Sequence, residues 1–306
     1  MGPQVIEFAP GDMVSILAVP GCRQPLCAEC SKGVPQVCVD GPHYGLDRDG
    51  SFAPYVAVKA VAALKLPKDV SAAAGAVATD AITTAYHAVV GRAQVKAGET
   101  VLLYGLGGLG FNALQILLSL GARVIAVDQR QTVLDEAVKL GVRSEDAVPP
   151  GTTNVAEWIA EKQLLIDKAV DFVGVSESLG TTVQTGMFPI GIPSNRTSAL
   201  TLRLVTVRLG GKIVLVGMIG ESLVLQSRAA IMKHLDILCS MGGTLEDLRA
   251  SLDLIVKGII TPRVEMDSLA NLPQVLKNLH EGKIKSRMAL IPEGVEDMVG
   301  LVKRNQ

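Results

Sequence analysis

Gly105-Leu106-Gly107-Gly108-Leu109-Gly110 is the stretch that decides the fold of this chain. It follows the apolar segment Thr100-Val101-Leu102-Leu103-Tyr104 and leads into an apolar run that begins at Phe111. Asp128 comes eighteen residues after Gly110, at the end of a second apolar segment, 123–127. A glycine-rich turn between a strand and a helix, with an acidic residue ending the next strand, is typical of a dinucleotide-binding βαβ unit.

Each part of the turn has a mechanical reason. Gly105 can adopt the backbone angles of a tight strand-to-helix turn. Gly107 has no side chain, so a pyrophosphate can approach the main chain, and Gly110 lets the helix pack close to the sheet. Gly108 and Leu109 lead into the helix N-terminus, where free N–H groups and the helix dipole favour phosphate.

Asp128 is expected to select the cofactor. Its carboxylate would accept hydrogen bonds from the adenosine ribose, and its charge would repel a 2′-phosphate. The sequence therefore favours NAD over NADP, although Arg130 lies only two residues away and leaves NADP open. The plain alternative is a glycine-rich loop that binds nothing.

The composition limits the class of protein. The 306 residues are 48% hydrophobic but only 3% aromatic, so the core must consist of Val, Leu, Ile and Ala, as in a parallel sheet covered by helices. A net charge of −1 gives no electrostatic reason to expect nucleic acid as a partner. Charged residues interrupt every long apolar stretch, and the first residues lack the features of a signal peptide. We therefore expect no membrane partner and a cytoplasmic enzyme.

From residue 100 the pattern alternates between strand and helix, which predicts an α/β fold with a doubly wound parallel (Rossmann) sheet. Strands are predicted at 100–104, 123–127, 170–174, 212–216 and 236–239, with helices at 109–120, 131–140, 154–163 and 178–185. Before this lie turns followed by short strands, within 8–16 and 50–58, and a helical stretch at 71–91. After it we expect helices at 245–257 and 273–281 and a strand at 286–291.

The segment 186–205 does not fit this alternation. A connection of this length is unusual inside a compact nucleotide-binding unit. It is either a genuine surface insertion or foreign sequence, such as a translated intron.

Four of the five cysteines lie within seventeen residues: Cys22, Cys27, Cys30 and Cys38. Without a secretion signal, a metal site is favoured over disulfides. Four unliganded thiols are the alternative. Cys239 stands alone, and we expect it to be a buried, small apolar residue.

An ordered set of motifs carries a family resemblance. The set comprises Pro10-Gly11-Asp12-Met13-Val14, the cysteine cluster, Gly50-Ser51-Phe52-Ala53-Pro54-Tyr55-Val56, Thr84-Ala85-Tyr86-His87-Ala88, the glycine turn with Asp128, Asp171-Phe172-Val173-Gly174 and Gly210-Gly211-Lys212-Ile213-Val214-Leu215-Val216-Gly217. Together these resemble the zinc-type alcohol dehydrogenases of the medium-chain dehydrogenase/reductase superfamily. The resemblance implies a GroES-like catalytic domain, 1–77 with 243–306, and a dinucleotide-binding domain, 78–242. It also implies a homodimer or homotetramer with contacts near 236–243.

The resemblance assigns two zinc sites. The four clustered cysteines match the structural zinc site, although four residues rather than two separate Cys22 from Cys27. Asp80 matches the third ligand of the catalytic zinc, or could instead cap a helix N-terminus. The other two ligands, a Cys and the His of a Gly-His-Glu motif, would precede Met1, so we expect the chain as written to be inactive or poorly soluble. Surface or packing roles are expected for the four histidines, His43, His87, His234 and His280.

Further cofactor contacts follow from the resemblance. Val216 and Met218 match main-chain contacts to the nicotinamide carboxamide, Val173 a contact on the adenosine side, and Arg287 a contact to the pyrophosphate. The resemblance therefore implies an NAD- and zinc-dependent dehydrogenase that interconverts a small-molecule alcohol with an aldehyde or ketone. The alternatives are a zinc-independent quinone or enoyl reductase of the same superfamily, and a non-catalytic NAD-binding protein.

Overall fold

The computed structural model describes Gly2 and the ranges 4–175, 207–219 and 227–294. The chain divides into two compact units, Met1–His87 with Met241–Gln306, and Ala88–Ser240. The helix expected at 178–185 and the insertion at 186–205 lie outside the described residues. The functional domain limits implied by the resemblance, 1–77 with 243–306 and 78–242, stay a prediction.

The described elements are ten strands and nine α-helices. The strands are β1 (Val14–Ile16), β2 (Ala63–Lys65), β3 (Thr100–Tyr104), β4 (Arg123–Val127), β5 (Ala147–Val148), β6 (Ile166–Asp171), β7 (Val207–Leu215), β8 (Asp236–Cys239), β9 (Val264–Ser268) and β10 (Arg287–Ile291). The helices are α1 (Ala28–Ser31), α2 (Ala72–Val77), α3 (Thr83–Tyr86), α4 (Gly110–Ser119), α5 (Gln131–Leu140), α6 (Val155–Glu161), α7 (Ser227–Lys233), α8 (Leu245–Val256) and α9 (Leu272–His280).

The unit Ala88–Ser240 is built on a six-stranded parallel sheet in the order β5-β4-β3-β6-β7-β8. Its central strands are apolar, and Val101, Leu102 and Leu103 of β3 are completely buried. Continuous apolar strands of this kind are buried on both faces. The predicted α/β fold with a Rossmann-type parallel sheet is therefore confirmed.

Two strands of this sheet begin earlier than predicted, and β7 spans Val207–Leu215 rather than 212–216. β6 spans Ile166–Asp171 rather than 170–174 and includes a buried lysine. The ammonium of Lys168 lies 2.6 Å from a carboxylate oxygen of Glu99 and donates to the carbonyl of Gln94 at 2.7 Å. These partners stabilise a charge inside the sheet, which hydropathy alone would place outside it.

Two further predictions were wrong. Residues 50–58 form no strand, and Phe52 and Tyr55 project into solvent instead. Cys239 is exposed rather than buried, because β8 is an edge strand with only one strand neighbour in the described sheet.

The unit Met1–His87 with Met241–Gln306 contains two small sheets, antiparallel β1–β2 and parallel β9–β10. The predicted helical stretch at 71–91 is present, but π-helical turns at Ala78–Ile82 and His87–Arg92 interrupt it. Ser71 caps the start of α2 by accepting from the N–H of Ala74 at 3.1 Å. In the described part of the chain, no helix combines the length and the apolar character that a bilayer crossing requires.

Candidate functional site

The glycine turn lies where the strand order of the parallel sheet reverses. The chain moves outward from β3 through β4 to β5 and then returns to place β6 on the other side of β3. In open α/β sheets ligands usually bind beside the carboxyl ends of the two strands at such a point, here β3 and β6. The turn that follows β3, residues 105–110, lies at this edge.

The glycines of the turn are not equivalent. Gly105 has φ +81°, and an added Cβ would approach Val173 Cγ2 to 2.7 Å. A Cβ on Gly110 would clash with the carbonyl oxygen of Gly105. A Cβ on Gly107, by contrast, would point into open space. The protein's own packing therefore requires two of these glycines, whereas at Gly107 the absent side chain leaves room for another molecule.

Helix α4 begins directly at the turn. The N–H groups of Phe111 and Ala113 donate to the carbonyls of Gly107 and Leu109, both at 3.0 Å, and the side chain of Asn112 donates to the carbonyl of Gly108 at 2.9 Å. These bonds hold the first helical turn against the loop. The positive end of the α4 dipole consequently lies at the carboxyl edge of the sheet.

Asp128 is fixed at the end of β4. Its Oδ2 accepts from the N–H of Leu106 at 2.8 Å, which ties the carboxylate to the glycine turn. The guanidinium of Arg130 binds both carboxylate oxygens at 2.9 Å. Burial acts to raise the pKa of Asp128, but the hydrogen bonds from Arg130 and Leu106 outweigh it, so the pKa lies below its usual value.

The ends of β6 and β7 are held together by Asp171. Its Oδ1 accepts from the N–H groups of Val173 at 2.7 Å and Gly174 at 3.0 Å. Its carbonyl accepts from the N–H groups of Val216 at 2.9 Å and Gly217 at 3.0 Å. The structure therefore places Val173 and Val216, two of the predicted cofactor contacts, at the same edge as the glycine turn. Met218 follows with an exposed side chain.

The four clustered cysteines converge in the segment 21–40, here called the cysteine lobe. Their sulfur atoms all lie within 4.8 Å of one another, with Cys22 to Cys30 at 3.8 Å and Cys27 to Cys38 at 3.6 Å. A tetrahedral zinc with Zn–S bonds of about 2.3 Å requires sulfur separations of about 3.8 Å. The four thiols fit zinc, and the longer first gap in the sequence does not prevent them from meeting.

Hydrogen bonds tune two of these thiols in opposite directions. Burial acts to raise the pKa of Cys38, but the N–H of Cys22 and the neighbouring thiols lower it to about 7. The main-chain amide of Cys30 acts to lower the pKa of Cys27. The hydrogen bond from the Cys27 thiol to the Glu29 carboxylate, at 3.1 Å, acts in the opposite direction, and the pKa of Cys27 is raised to about 12. Zinc bound in the lobe would hold both sulfur atoms as thiolates.

A buried polar chain connects the cysteine lobe to helix α8, and the sequence reasoning missed it. The amide nitrogen of Gln36 lies 3.1 Å from Nε2 of His87, and Nδ1 of His87 lies 2.8 Å from Oδ2 of Asp247. Asp247 also forms a capping box with Thr244 at the start of α8. His87 therefore has the packing role expected of it, within a hydrogen-bonded chain. These three residues lie far apart in sequence, and only their proximity in space reveals the hydrogen-bonded chain.

Asp80 lies in the first π-helical turn, so it is not a helix N-cap. Its Oδ1 accepts from the hydroxyl of Thr84 at 2.8 Å. Burial lowers the pKa of Arg287, and the charge of Asp80 partly offsets this. Among the described residues, the cysteine lobe holds the one group of three or more suitably placed metal ligands, and Asp80 does not belong to it.

Comparisons with known proteins identify the family. Residues 108–257 match the family described as zinc-binding dehydrogenase, and residues 1–68 match the alcohol dehydrogenase GroES-like domain. An alcohol dehydrogenase of Geobacillus stearothermophilus is 30% identical over 293 residues, which cover 95% of this chain and 79% of the relative. The chain belongs to the zinc-type alcohol dehydrogenase family. As a member, it is an oxidoreductase that acts on alcohols.

Solved structures of alcohol dehydrogenases and related reductases share this fold. The alcohol dehydrogenase of Aeropyrum pernix superposes with a TM-score of 0.78 at 27% identity, covering 95% of this chain and 79% of the other. An acetophenone reductase from Geotrichum candidum in complex with NAD gives a TM-score of 0.74 at 26% identity, covering 92% and 74% of the two chains. The family match extends over both units, so the zinc-type dehydrogenase resemblance seen in the motifs is confirmed.

Proposed function

We propose that this family member binds NAD(H) at the carboxyl edge of the parallel sheet and zinc in the cysteine lobe. Its reaction would be hydride transfer between a small-molecule alcohol and the nicotinamide ring, giving an aldehyde or ketone. The observation that carries the cofactor proposal is Gly107, whose missing side chain serves no internal packing at the edge of the sheet where ligands usually bind. The NAD complex of the acetophenone reductase supports it by analogy.

The roles proposed for the glycine turn and the strand ends follow from their positions, and those proposed for Met218 and Arg287 follow from the family resemblance. The start of α4 would hold the pyrophosphate, since the helix dipole and the open face of Gly107 favour an anion there. Main-chain groups of Val173, Val216 and Met218 would orient the two ends of the dinucleotide. Arg287 would bring a positive charge to the pyrophosphate. The bound nicotinamide would accept or donate the hydride.

The two metal proposals differ in support. Zinc in the cysteine lobe would be structural, because four thiolates leave no open coordination position. Asp80 is proposed as the third ligand of a catalytic zinc. Among the described residues, Asp80 belongs to no group of three or more metal ligands, so we derive no reaction step through that metal.

That Asp80 belongs to no group of three or more metal ligands among the described residues favours a second candidate, a non-catalytic NAD-binding protein with one structural zinc. Zinc content and NADH titration of the purified chain separate the possibilities. About two zinc ions per chain with alcohol-dependent NADH formation would support the dehydrogenase. One zinc with NADH binding but no turnover would support the binding protein, and no zinc would support a zinc-independent reductase. Absence of NADH binding would contradict all three.

A location in the cytosol and a dimeric or tetrameric assembly stay predictions of the sequence.

A further inference from the structure

The carboxylate of Asp128 has a full set of hydrogen-bond donors. Oδ1 accepts from the main-chain N–H and from Nε of Arg130, at 3.0 and 2.9 Å. Oδ2 accepts from the N–H of Leu106 at 2.8 Å and from the guanidinium of Arg130 at 2.9 Å. A carboxylate offers about four lone-pair positions. Two donors come from the main chain, and the other two come from the Arg130 side chain.

The guanidinium therefore occupies the positions that an adenosine ribose would use. A ribose diol presents two hydroxyl donors to a carboxylate, the same number that the Arg130 side chain supplies. Asp128 is only 7% exposed, whereas 46% of the Arg130 side chain is accessible to solvent. Arg130 can move into water without opening the protein, while Asp128 stays fixed by its two main-chain bonds.

The ion pair also changes the charge that an incoming cofactor meets. An isolated Asp128 would repel a 2′-phosphate, but a carboxylate paired with a guanidinium carries no net charge. A guanidinium displaced from Asp128 lies beside the ribose and can bind phosphate oxygens through its planar fork.

We propose that Arg130 is a cofactor-selecting residue, which competes with the ribose of NADH for Asp128 and compensates the 2′-phosphate of NADPH. This inference rests on the proposed dinucleotide function. It predicts that the chain accepts both cofactors, rather than the strong preference for NAD that Asp128 alone would give.

The test is a fluorescence titration of NADH and NADPH against the unaltered chain, R130Q and R130K. R143Q is the matched control, since Arg143 is an exposed arginine of the same unit with no bond to Asp128. The unaltered chain should bind the two cofactors with affinities within about tenfold of each other. R130Q should bind NADH more tightly and NADPH at least about tenfold more weakly, as expected for loss of a charge-assisted bond. R130K keeps the positive charge but loses the planar fork, so its NADPH-to-NADH ratio should lie between those of the unaltered chain and R130Q.

The outcomes separate this inference from the function on which it rests. If neither cofactor binds to the unaltered chain, both are overturned. If both bind but R130Q leaves their ratio unchanged, only the role of Arg130 is overturned. A chain that already rejects NADPH by more than about a hundredfold, or an R130K variant that loses NADPH as fully as R130Q, would equally contradict it. Thermal unfolding of each variant confirms that the comparison is made on folded protein.

Discussion

The cysteine lobe and the glycine turn are both irregular segments, but different forces hold them in place. The turn follows β3, whose central residues are completely buried, and its shape is set by backbone packing. The lobe exposes Leu26 and Val39 almost entirely and gathers four sulfur atoms at its centre. Burial of apolar surface therefore stabilises the turn without a ligand, whereas we expect the lobe to depend on a metal bound by its thiols.

The largest effect should come from removing one thiol of the lobe. Cys38→Ser deletes the most buried ligand, and structural zinc sites contribute on the order of 10 kcal/mol to small metal-dependent folds. We expect loss of the bound zinc and rapid proteolysis within 21–40, while the parallel sheet remains protected. Metal analysis and limited proteolysis followed by mass spectrometry measure both.

Cys239→Ser is the matched control, because it removes an exposed thiol outside the lobe. It should leave zinc content and cleavage unchanged. A Cys38→Ser protein that resists proteolysis as well as this control would show that apolar contacts, not metal, hold the lobe.

A pair of alanine variants tests the turn. Gly110→Ala places a Cβ against the Gly105 carbonyl, so it should destabilise the protein by about 1–3 kcal/mol through overpacking. Gly107→Ala meets open space and should change the free energy of unfolding by less than about 0.5 kcal/mol. It should nevertheless weaken NADH binding. Chemical unfolding and NADH titration distinguish the two, and equal NADH affinity for Gly107→Ala and the unaltered chain would contradict the proposed phosphate position.

An effect comparable with that of Gly110→Ala is expected in the polar chain behind the lobe. Burial acts to raise the pKa of Asp247, but bonds from His87 and Thr244 lower it below its usual value. A lowered folded-state pKa stabilises the protein above the unfolded-state pKa of about 3.9, and this contribution is lost as the pH falls further. Asp247→Asn should therefore cost about 1–3 kcal/mol at pH 7 and progressively less below about pH 4.

Asp253→Asn provides the control for that measurement, as it neutralises an exposed carboxylate of the same helix. Urea unfolding at pH 7 and at acid pH gives the difference for each variant. A loss in Asp247→Asn that is the same at both pH values would mean that the charge of Asp247 contributes nothing beyond its hydrogen-bonding shape.

The sequence predicts the sheet where hydropathy and backbone requirements agree. β3, β4 and β8 and the helix α5 have the predicted bounds, since apolar runs end at glycines or charged residues there. The prediction fails where a charged residue is buried with a partner, as at Lys168. It also fails where apolar and charged residues alternate within a strand, as in β9. Both depend on contacts between residues far apart in the chain.

The candidate sites show the same division. The spacing of the cysteines predicts a metal cluster, because cysteines so close in sequence can converge on one ion. The ion pair between Asp128 and Arg130 could not be predicted, since it depends on the conformation of the Arg130 side chain. The hydrogen-bonded chain from Gln36 to Asp247 could not be predicted either, because these two residues are 211 positions apart in the sequence.

Asp171 gives the carboxyl edge of the sheet an uneven tolerance of mutation. Four main-chain amides, two from the segment after each of β6 and β7, donate to this one residue. At positions 173 and 216 any residue except proline supplies the amide that Asp171 accepts. A single change at Asp171 would remove the shared carboxylate acceptor and alter the surroundings of all four amides. One aspartate therefore fixes the main chain after both strands, on the surface where the cofactor is proposed to lie.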